Sequence, residues 1–174
     1  MIDKIFSLIA DYDNHIKTID KIHYEVHEGD HYTFSKSTTI VGTSTYYIAL
    51  TTPNTTVEPH LIFSFDAAAV ATLQFYENAT IASTWAANTV YNNNRRSTNA
   101  ATVVIRASLP SSDVTSTGTL LETIGLPAGY VKTDIGISGT SRNEWVLQKN
   151  YTYLARITSA STNSIDANFM WYED

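Results

Sequence analysis

The chain of 174 residues contains no cysteine, which excludes structural disulfides and metal sites built from thiolates. Basic residues are scarce as well: 11 lysines and arginines stand against 17 aspartates and glutamates, for a net charge of −6. Because a protein that binds a phosphate backbone needs a basic face, we expect no nucleic-acid partner. No run approaches the roughly 20 apolar residues of a membrane-spanning helix, so we expect no membrane partner.

Motifs of catalytic and cofactor sites are also lacking. The chain has neither the Gly-x-Ser-x-Gly turn that positions a nucleophilic serine nor a glycine-rich phosphate-binding loop. Asp11, Asp13 and Asp20 are not accompanied by the glycine and the final glutamate that a calcium-binding loop requires. We therefore predict no enzymatic activity and no cofactor.

The residues that are abundant favour β structure. Threonine, serine and asparagine supply most of the polarity, charged residues make up only 16% of the chain, and there are 11 tyrosines. β-Branched and aromatic residues suit the pleated surface of a sheet. Apolar and polar residues alternate along roughly eight to ten segments separated by turn residues, which predicts a sandwich or a barrel. We predict an all-β, jelly-roll-like antiparallel β-sandwich, with an up-and-down barrel as the alternative.

The C-terminal stretch has the clearest period of two, which a pleated strand requires because successive side chains point to opposite faces. It predicts three consecutive antiparallel strands. Lys149 and Asn150 lie between the first two, as in a tight hairpin, and asparagine tolerates the positive φ of such a turn. We expect Trp145, Phe169 and Trp171 to meet in one core layer. The opposite face of the second strand is mostly polar, and its predicted inner face consists of Tyr151, Tyr153, Ala155 and Ile157.

Residues 1–14 differ from the rest of the chain, and residues 15–174 are predicted to form the sandwich domain. Apolar residues recur in the first segment at i, i+3, i+4 and i+7, the spacing of one face of a short amphipathic helix. So short a helix is marginal alone. It either docks on its own domain or forms an arm that packs on a neighbouring subunit or partner. The residues that would make this contact are Ile2, Ile5, Phe6 and Ile9.

Arg95 and Arg96 are the only adjacent basic residues, and they lie in a polar stretch. Guanidinium groups make strong, charge-assisted contacts with carboxylates, so we predict that this pair binds carboxylates of another subunit. The alternative is a solvated loop tip. Trp85, Tyr91 and Tyr130 are candidates for stacking on sugars, although such aromatics more often cover the end of a sandwich.

His23, Glu25, His27 and His31 form the densest group of potential metal ligands. We predict extended backbone for this stretch, with the first three side chains on one face of a strand. Residues i and i+4 of a strand lie roughly 13 Å apart at about 3.3 Å per residue, so one metal ion cannot bridge His23 and His27. We therefore expect a solvated or subunit-facing strand edge. A metal ion on a symmetry axis, with ligands from several subunits, is the alternative.

Local similarity to a known family lies in three segments: HYEVHEGDHYTFS (23–35), YNNNRRSTNAATVVI (91–105) and RNEWVLQKNYTYLARIT (142–158), the last followed by the closing FMWYED. In these segments the chain resembles the head decoration proteins of tailed bacteriophages, also called auxiliary or cement proteins. The resemblance implies an all-β protein that binds the outer surface of the assembled capsid and stabilises it.

The resemblance also implies partners and a location. The partners would be the major capsid protein and further copies of this chain, in a homotrimer. The protein would be made in the cytoplasm of the host bacterium and reside in the virion, on the outside of the capsid. A receptor- or glycan-binding virion module, such as a head fibre or a tail adhesin, is the alternative.

Overall fold

The computed structural model describes residues 21–82, 85–131, 133–135, 137–138, 141–142 and 144–174. The described residues are mostly β, and a 3₁₀ turn at Ser111–Asp113 precedes the eighth strand. In chain order the elements are α1 (Lys21–Glu28), β1 (His31–Ile40), β2 (Thr45–Thr51), β3 (Pro59–Ala67), β4 (Ala71–Glu77), β5 (Thr80–Ile81), β6 (Tyr91–Asn92), β7 (Val104–Leu109), β8 (Val114–Ser116), β9 (Thr119–Leu126), β10 (Thr133–Ile135), β11 (Ile137–Ser138), β12 (Ser141–Arg142), β13 (Trp145–Val146), β14 (Thr152–Ser159) and β15 (Asn163–Glu173).

Two antiparallel sheets pack face to face. The first has the order β10-β3-β15-β1-β6, with β13 also paired to β3, and the second has the order β7-β2-β14-β4-β9. The chain crosses between the sheets repeatedly: at β1–β2, β2–β3, β3–β4, β6–β7, β9–β10, β13–β14 and β14–β15. The four strands β1, β15, β3 and β10 on one side and β2, β14, β4 and β9 on the other are arranged as in a jelly roll. The predicted jelly-roll-like sandwich is therefore confirmed, and the up-and-down barrel, in which chain neighbours pair, is excluded.

The main core lies between the two sheets and follows the period of two predicted from the sequence. Phe63 of the first sheet meets Phe75 of the second with ring centres 4.8 Å apart. Phe169 and Trp171 are fully buried in the same cluster, and Trp145 packs against it, which confirms the predicted aromatic layer. Burying each such side chain contributes roughly 1.5–3 kcal/mol to folding.

A second, smaller apolar cluster lies on the outer face of the second sheet. Leu154 is fully buried there, so the prediction of a mostly polar outer face for β14 is wrong at this position. The short ribbon formed by β5 and β8 lies beside this face and supplies Ile81 and Val114 as cover. The buried members of the cluster are Tyr47, Ala49, Tyr76, Ala79 and Leu154.

The stretch predicted to be extended around His23–His27 is the helix α1, so that prediction is wrong. The helix buries Glu25 and ends at Gly29, whose φ of +87° is accessible mainly to glycine. The amides of Gly29 and Asp30 both donate to the Glu25 carbonyl at 3.0 Å, which satisfies the end of the helix. A Cβ on Gly29 would lie 2.3 Å from the Ser97 hydroxyl oxygen, so the close approach of the next loop also requires glycine.

The three C-terminal strands do not pair with each other, which corrects the predicted hairpin. β13 belongs to the first sheet, β14 to the second and β15 to the first, so the chain crosses the sandwich twice. The backbone turns at Asn150, with a φ of +59°, as predicted. Thr52 holds the crossing in place, because its hydroxyl donates to the Gln148 carbonyl at 2.6 Å and accepts a bond from the Tyr151 amide at 2.9 Å.

The sandwich has two ends of different construction. We call the end formed by α1, the loop 93–103 and the last residues of β15 the terminal end. The opposite end consists of the turns 41–44, 68–70 and 160–162 and the loop 127–131. We call it the hairpin end for its short turns, although each of the three turns joins strands of different sheets. The predicted arm, residues 1–14 with Ile2, Ile5, Phe6 and Ile9, lies outside the described residues, and the described chain begins at the terminal end with Lys21.

Candidate interaction surface at the terminal end

Asparagine side chains fasten the loop 93–103 and the strand before it to α1 and β1. Each of them bonds to a different position along the segment 27–31, so the contact extends from the last turn of the helix into the strand. Amide side chains suit this role because each carries both donors and an acceptor. The bonds run from Asn92 to the Gly29 carbonyl (2.6 Å), from Asn93 to His31 Nδ1 (2.7 Å), from Asn94 to the His27 carbonyl (3.0 Å) and from Asn99 to the Asp30 carboxylate (2.9 Å).

Arg95 and Arg96 lie at the tip of a turn within this loop. The Ser97 amide donates to the Asn94 carbonyl at 2.9 Å, and the Arg96 amide donates to the Asn94 side chain at 3.1 Å. Both arginine side chains are exposed, and neither forms a salt bridge with a carboxylate within the described ranges. The Arg95 guanidinium lies 5.6 Å from the centre of the Tyr91 ring, within the range of a cation–π contact. The turn therefore presents two positive charges from an anchored backbone.

Glu173 anchors the far end of the same loop. Its carboxylate accepts bonds from the Thr102 amide at 2.9 Å, the Thr102 hydroxyl at 2.6 Å and the Val103 amide at 3.1 Å. The indole nitrogen of Trp171 donates to the same carboxylate at 2.9 Å. Bonds to an ionised acceptor are roughly twice as strong as neutral ones. One carboxylate of β15 thus joins the loop to the aromatic core.

A cluster of charged and aromatic groups joins α1 to the C-terminal residues. Lys21 forms ion pairs of 2.9 Å with Glu25 and with Asp174, and its ammonium group lies 5.6 Å from the centre of the Tyr172 ring. Burial acts to lower the pKa of Lys21, but its bonds to the two carboxylates outweigh that effect and raise the pKa. His60 stacks on the other side of this cluster, with its ring centre 4.5 Å from that of Tyr172.

Glu144, the residue before β13, also belongs to that cluster. One of its carboxylate oxygens lies 3.2 Å from His60 Nδ1, and the other accepts the Tyr172 hydroxyl at 2.9 Å. These groups are partly or fully buried. The arrangement connects the segment after 142 to the first sheet and to the base of α1.

Burial perturbs two titratable groups at the start of β1. His31 is buried, and burial lowers its pKa because a charged imidazole would lose its hydration. The amide nitrogen of Asn93 can only donate, so Nδ1 of His31 is an acceptor and the neutral ring is favoured. Burial, followed by the carboxylates of Glu173 and Asp30, raises the pKa of Tyr32 to about 12.

The structure separates the four residues predicted as a group of potential metal ligands. Glu25 is buried and paired with Lys21, and His31 lies on β1 with Asn93 as its partner. His23 and His27 are both exposed on α1, one helical turn apart. Within the ranges that the structure describes, no group of three or more His, Cys, Asp or Glu residues could hold a metal ion.

The three aromatic residues considered for sugar binding are also separated. Trp85 is partly buried against the second apolar cluster, and its indole nitrogen donates to Asp113. Tyr91 is 55% exposed at the terminal end, whereas Tyr130 is 52% exposed at the hairpin end. These rings therefore do not share one platform, and Trp85 covers the sandwich.

A polar groove on the outer face of the first sheet was not anticipated. It has a volume of about 340 Å³. Asp66 and Asp166 lie directly opposite each other in the strand register, and Ser37 donates a hydrogen bond to Asp166. Alternating polar residues on three separate strands meet here only because β15 inserts between β1 and β3. Its lining consists of Ser35, Lys36, Ser37, Ser64, Asp66, Asp166, Ala167 and Asn168.

The fold and these surfaces define a jelly-roll domain of two antiparallel sheets. No protein-family model matches the chain, and neither a curated protein nor a solved structure matches it. Among the described residues, no helix has the length and apolar character needed to cross a membrane.

Proposed function

We propose that the protein is a structural protein of a bacteriophage virion, a decoration or cement protein that binds the outer surface of the assembled head and stabilises it. In this proposal it acts by binding and catalyses no reaction. The jelly roll is compatible with this role, since viral capsid proteins use this fold, but lectins use it as well. Fold analogy alone therefore does not distinguish the proposal from a sugar-binding function.

The observation that carries the proposal is that the three segments resembling head decoration proteins come together at the terminal end. Residues 91–105 bond to residues 23–35 through their asparagines, and to the closing FMWYED through Glu173. The segment 142–158 joins them through Glu144, which bonds to Tyr172 of the closing residues. Segments that lie far apart in the sequence thus form one surface, as expected if they serve one contact.

The proposed partners are the major capsid protein and further copies of this chain, as a homotrimer. Arg95 and Arg96 offer two exposed guanidinium groups to carboxylates of a neighbouring protein. The segment 1–14, with Ile2, Ile5, Phe6 and Ile9, supplies apolar side chains for the same contact in this proposal. The two sets would bind together, one through charge and one through apolar burial.

The proposed mechanism is linkage between binding and assembly. A protein that binds only the assembled shell lowers the free energy of that shell relative to the broken one. Symmetry repeats the same contact at equivalent sites, and contacts between neighbours raise the effective concentration at each site. A modest affinity for one capsid site then stabilises the whole particle.

Co-sedimentation with undecorated capsids tests the proposal. We expect the protein to sediment with capsids, and we expect the Arg95→Ala, Arg96→Ala double variant to bind at least about tenfold more weakly. A control is Lys36→Ala, which removes one positive charge from the polar groove on the outer face of the first sheet and leaves the terminal end unchanged. Failure of the unaltered protein to bind matching capsids would sink the proposal, and equal weakening in the control would remove the role of the arginine turn.

The polar groove on the first sheet favours a second candidate, a receptor- or glycan-binding virion module such as a head fibre or tail adhesin. Carboxylate, amide and hydroxyl groups are the partners that sugar hydroxyls require. Glycan-array binding that disappears in Asp166→Ala would support this candidate. Trp85→Ala is less informative, because Trp85 packs against the second apolar cluster and its loss would also destabilise the domain.

A further inference from the structure

The two exposed histidines of α1 face each other at hydrogen-bond distance, and neither the core nor the proposed function uses the pair. His23 and His27 are four residues apart, so they lie on the same side of the helix. Their Nε2 atoms are 2.9 Å apart, and their ring centres are 4.7 Å apart. We propose that this pair binds a divalent transition-metal ion with tetragonal preference, Cu²⁺ or Ni²⁺, through both Nε2 atoms.

The separation of the two nitrogens fits one class of metal. With metal–nitrogen distances of about 2.0–2.1 Å, two nitrogens 2.9 Å apart subtend an angle of about 90° at the metal. A tetrahedral ion, with an angle of about 109°, would require nitrogens roughly 3.3–3.4 Å apart. Angles near 90° are those of square-planar and octahedral coordination, which Cu²⁺ and Ni²⁺ adopt with nitrogen ligands.

The helix holds the pair ready for binding. Lys21 and Glu25 form an ion pair across the first turn, and Gly29 ends the helix with two amides bonded to the Glu25 carbonyl. The Asn94 side chain bonds to the His27 carbonyl at 3.0 Å and so ties the last turn to the neighbouring loop. Because the backbone is fixed at both ends, little conformational freedom is lost when a metal ion binds.

The remaining coordination positions are open to water. No third His, Cys, Asp or Glu completes a site with this pair within the part of the chain that the structure describes. Both histidines are exposed, so water reaches the metal without any rearrangement of the protein. The site is therefore a two-nitrogen chelate on the surface of the terminal end.

Titration of the full chain, prepared without a histidine tag, with Cu²⁺ alone tests the assignment. The informative control carries His27→Ala together with Glu28→His. It keeps the number of histidines but places the second imidazole about 140° around the helix from the first, instead of about 40°. We expect calorimetry to show at least about tenfold weaker Cu²⁺ binding for this control and for His23→Ala, since both lose the chelate.

Electron paramagnetic resonance gives a second measurement. The unaltered protein should show an axial Cu²⁺ spectrum with two coupled nitrogens, and His23→Ala should show one fewer. Equal Cu²⁺ affinity in the unaltered protein and the register control would overturn the proposal, as would an unchanged nitrogen count in His23→Ala.

Discussion

The terminal end and the hairpin end of the sandwich are built from different kinds of contact. At the hairpin end, short turns join strands that follow each other in the chain, and four large apolar side chains are exposed: Val41 (70%), Val70 (69%), Tyr130 (52%) and Val131 (55%). The terminal end exposes Tyr91, but its loop 93–103 is held mainly by polar side chains. There the bonds of the loop 93–103 and of Glu173 connect segments that are distant in the sequence.

Both ends are held by hydrogen bonds between distant segments, but only those at the terminal end hold the loop with the two arginines. The turns of the hairpin end bond to one another: the Asn163 side chain bonds to the amide and the carbonyl of Ala69, and the Gly42 amide donates to the Thr162 hydroxyl at 3.1 Å. None of these bonds involves the loop 93–103. The loop that carries Arg95 and Arg96 keeps its shape only while α1 and β15 are in place, because both supply its hydrogen-bond partners. Destabilising the terminal end should therefore alter the presentation of the two arginines, whereas equivalent changes at the hairpin end should not.

The largest expected effect comes from the core beneath the terminal end. Trp171 is 1% exposed and donates to Glu173, so Trp171→Ala should lower the free energy of unfolding by about 3–5 kcal/mol. Val70→Ala at the hairpin end removes a side chain that is mostly exposed. It should change the free energy of unfolding by less than about 0.5 kcal/mol. Urea unfolding measures both. Similar losses in the two variants would contradict the contrast between the ends.

Two glycines with positive φ provide the next test. Gly29, at the terminal end, has no room for a side chain, because a Cβ would lie 2.5 Å or less from atoms of Ser97. Gly42, at the hairpin end, has a φ of +62° but nothing within 4 Å of its Cβ position. In both alanine variants, backbone strain should lower the free energy of unfolding by about 1 kcal/mol.

Gly29→Ala should lose roughly 1–2 kcal/mol more than Gly42→Ala, because the loop that carries the arginines must also shift. Thermal unfolding at matched concentration compares the two variants. Equal destabilisation would mean that the loop 93–103 moves away from α1 with no loss of unfolding free energy. It would contradict the anchoring of the loop to α1.

A smaller effect depends on pH. Burial lowers the pKa of His31 below its ordinary value of about 6.5. Between the folded pKa and about pH 6.5 the unfolded chain binds more protons than the folded chain. Stability is therefore full above about pH 6.5 and decreases as the pH falls towards the folded pKa. In His31→Asn this part of the pH dependence should disappear, and an unchanged slope of unfolding free energy against pH would show that another group is responsible.

The smallest effect on stability is expected at Arg95 and Arg96. Both side chains are exposed, and the turn is held by Asn94 and Ser97. The double alanine variant should therefore change the free energy of unfolding by less than about 0.5 kcal/mol, even if it abolishes capsid binding. A large fall in melting temperature without loss of capsid binding would show that the pair stabilises the fold and does not bind the capsid.

The alternation of side chains was sufficient to predict the sandwich and its inner faces, because a strand with one buried face has a period of two. It also placed Phe169 and Trp171 in the core correctly. The prediction from alternation was wrong at Lys21–Glu28, because so short a helix has too few residues to show a helical pattern. That helix depends on the buried Glu25 and on the cap at Gly29, which are tertiary features.

The candidate surface was less predictable than the fold. Arg95 and Arg96 were identifiable as a pair, but their anchoring depends on Glu173, which follows many residues later in the chain. The predicted hairpin at Lys149–Asn150 had the right length for a turn, and length alone does not show that the chain crosses to the other sheet. The chelating geometry of the α1 histidines also required the helix, since the predicted strand would place them far apart.

The sheet order has a consequence for synthesis on the ribosome. β15 lies between β1 and β3, and β14 lies between β2 and β4, so the middle of each sheet comes from late in the chain. β1 and β15 pair along ten residues, from His31 with Tyr172 to Ile40 with Asn163. Neither sheet can assemble until these late strands have emerged from the ribosome. Until then the nascent chain exposes unpaired strand edges and apolar inner faces, which slows folding and favours aggregation with other chains.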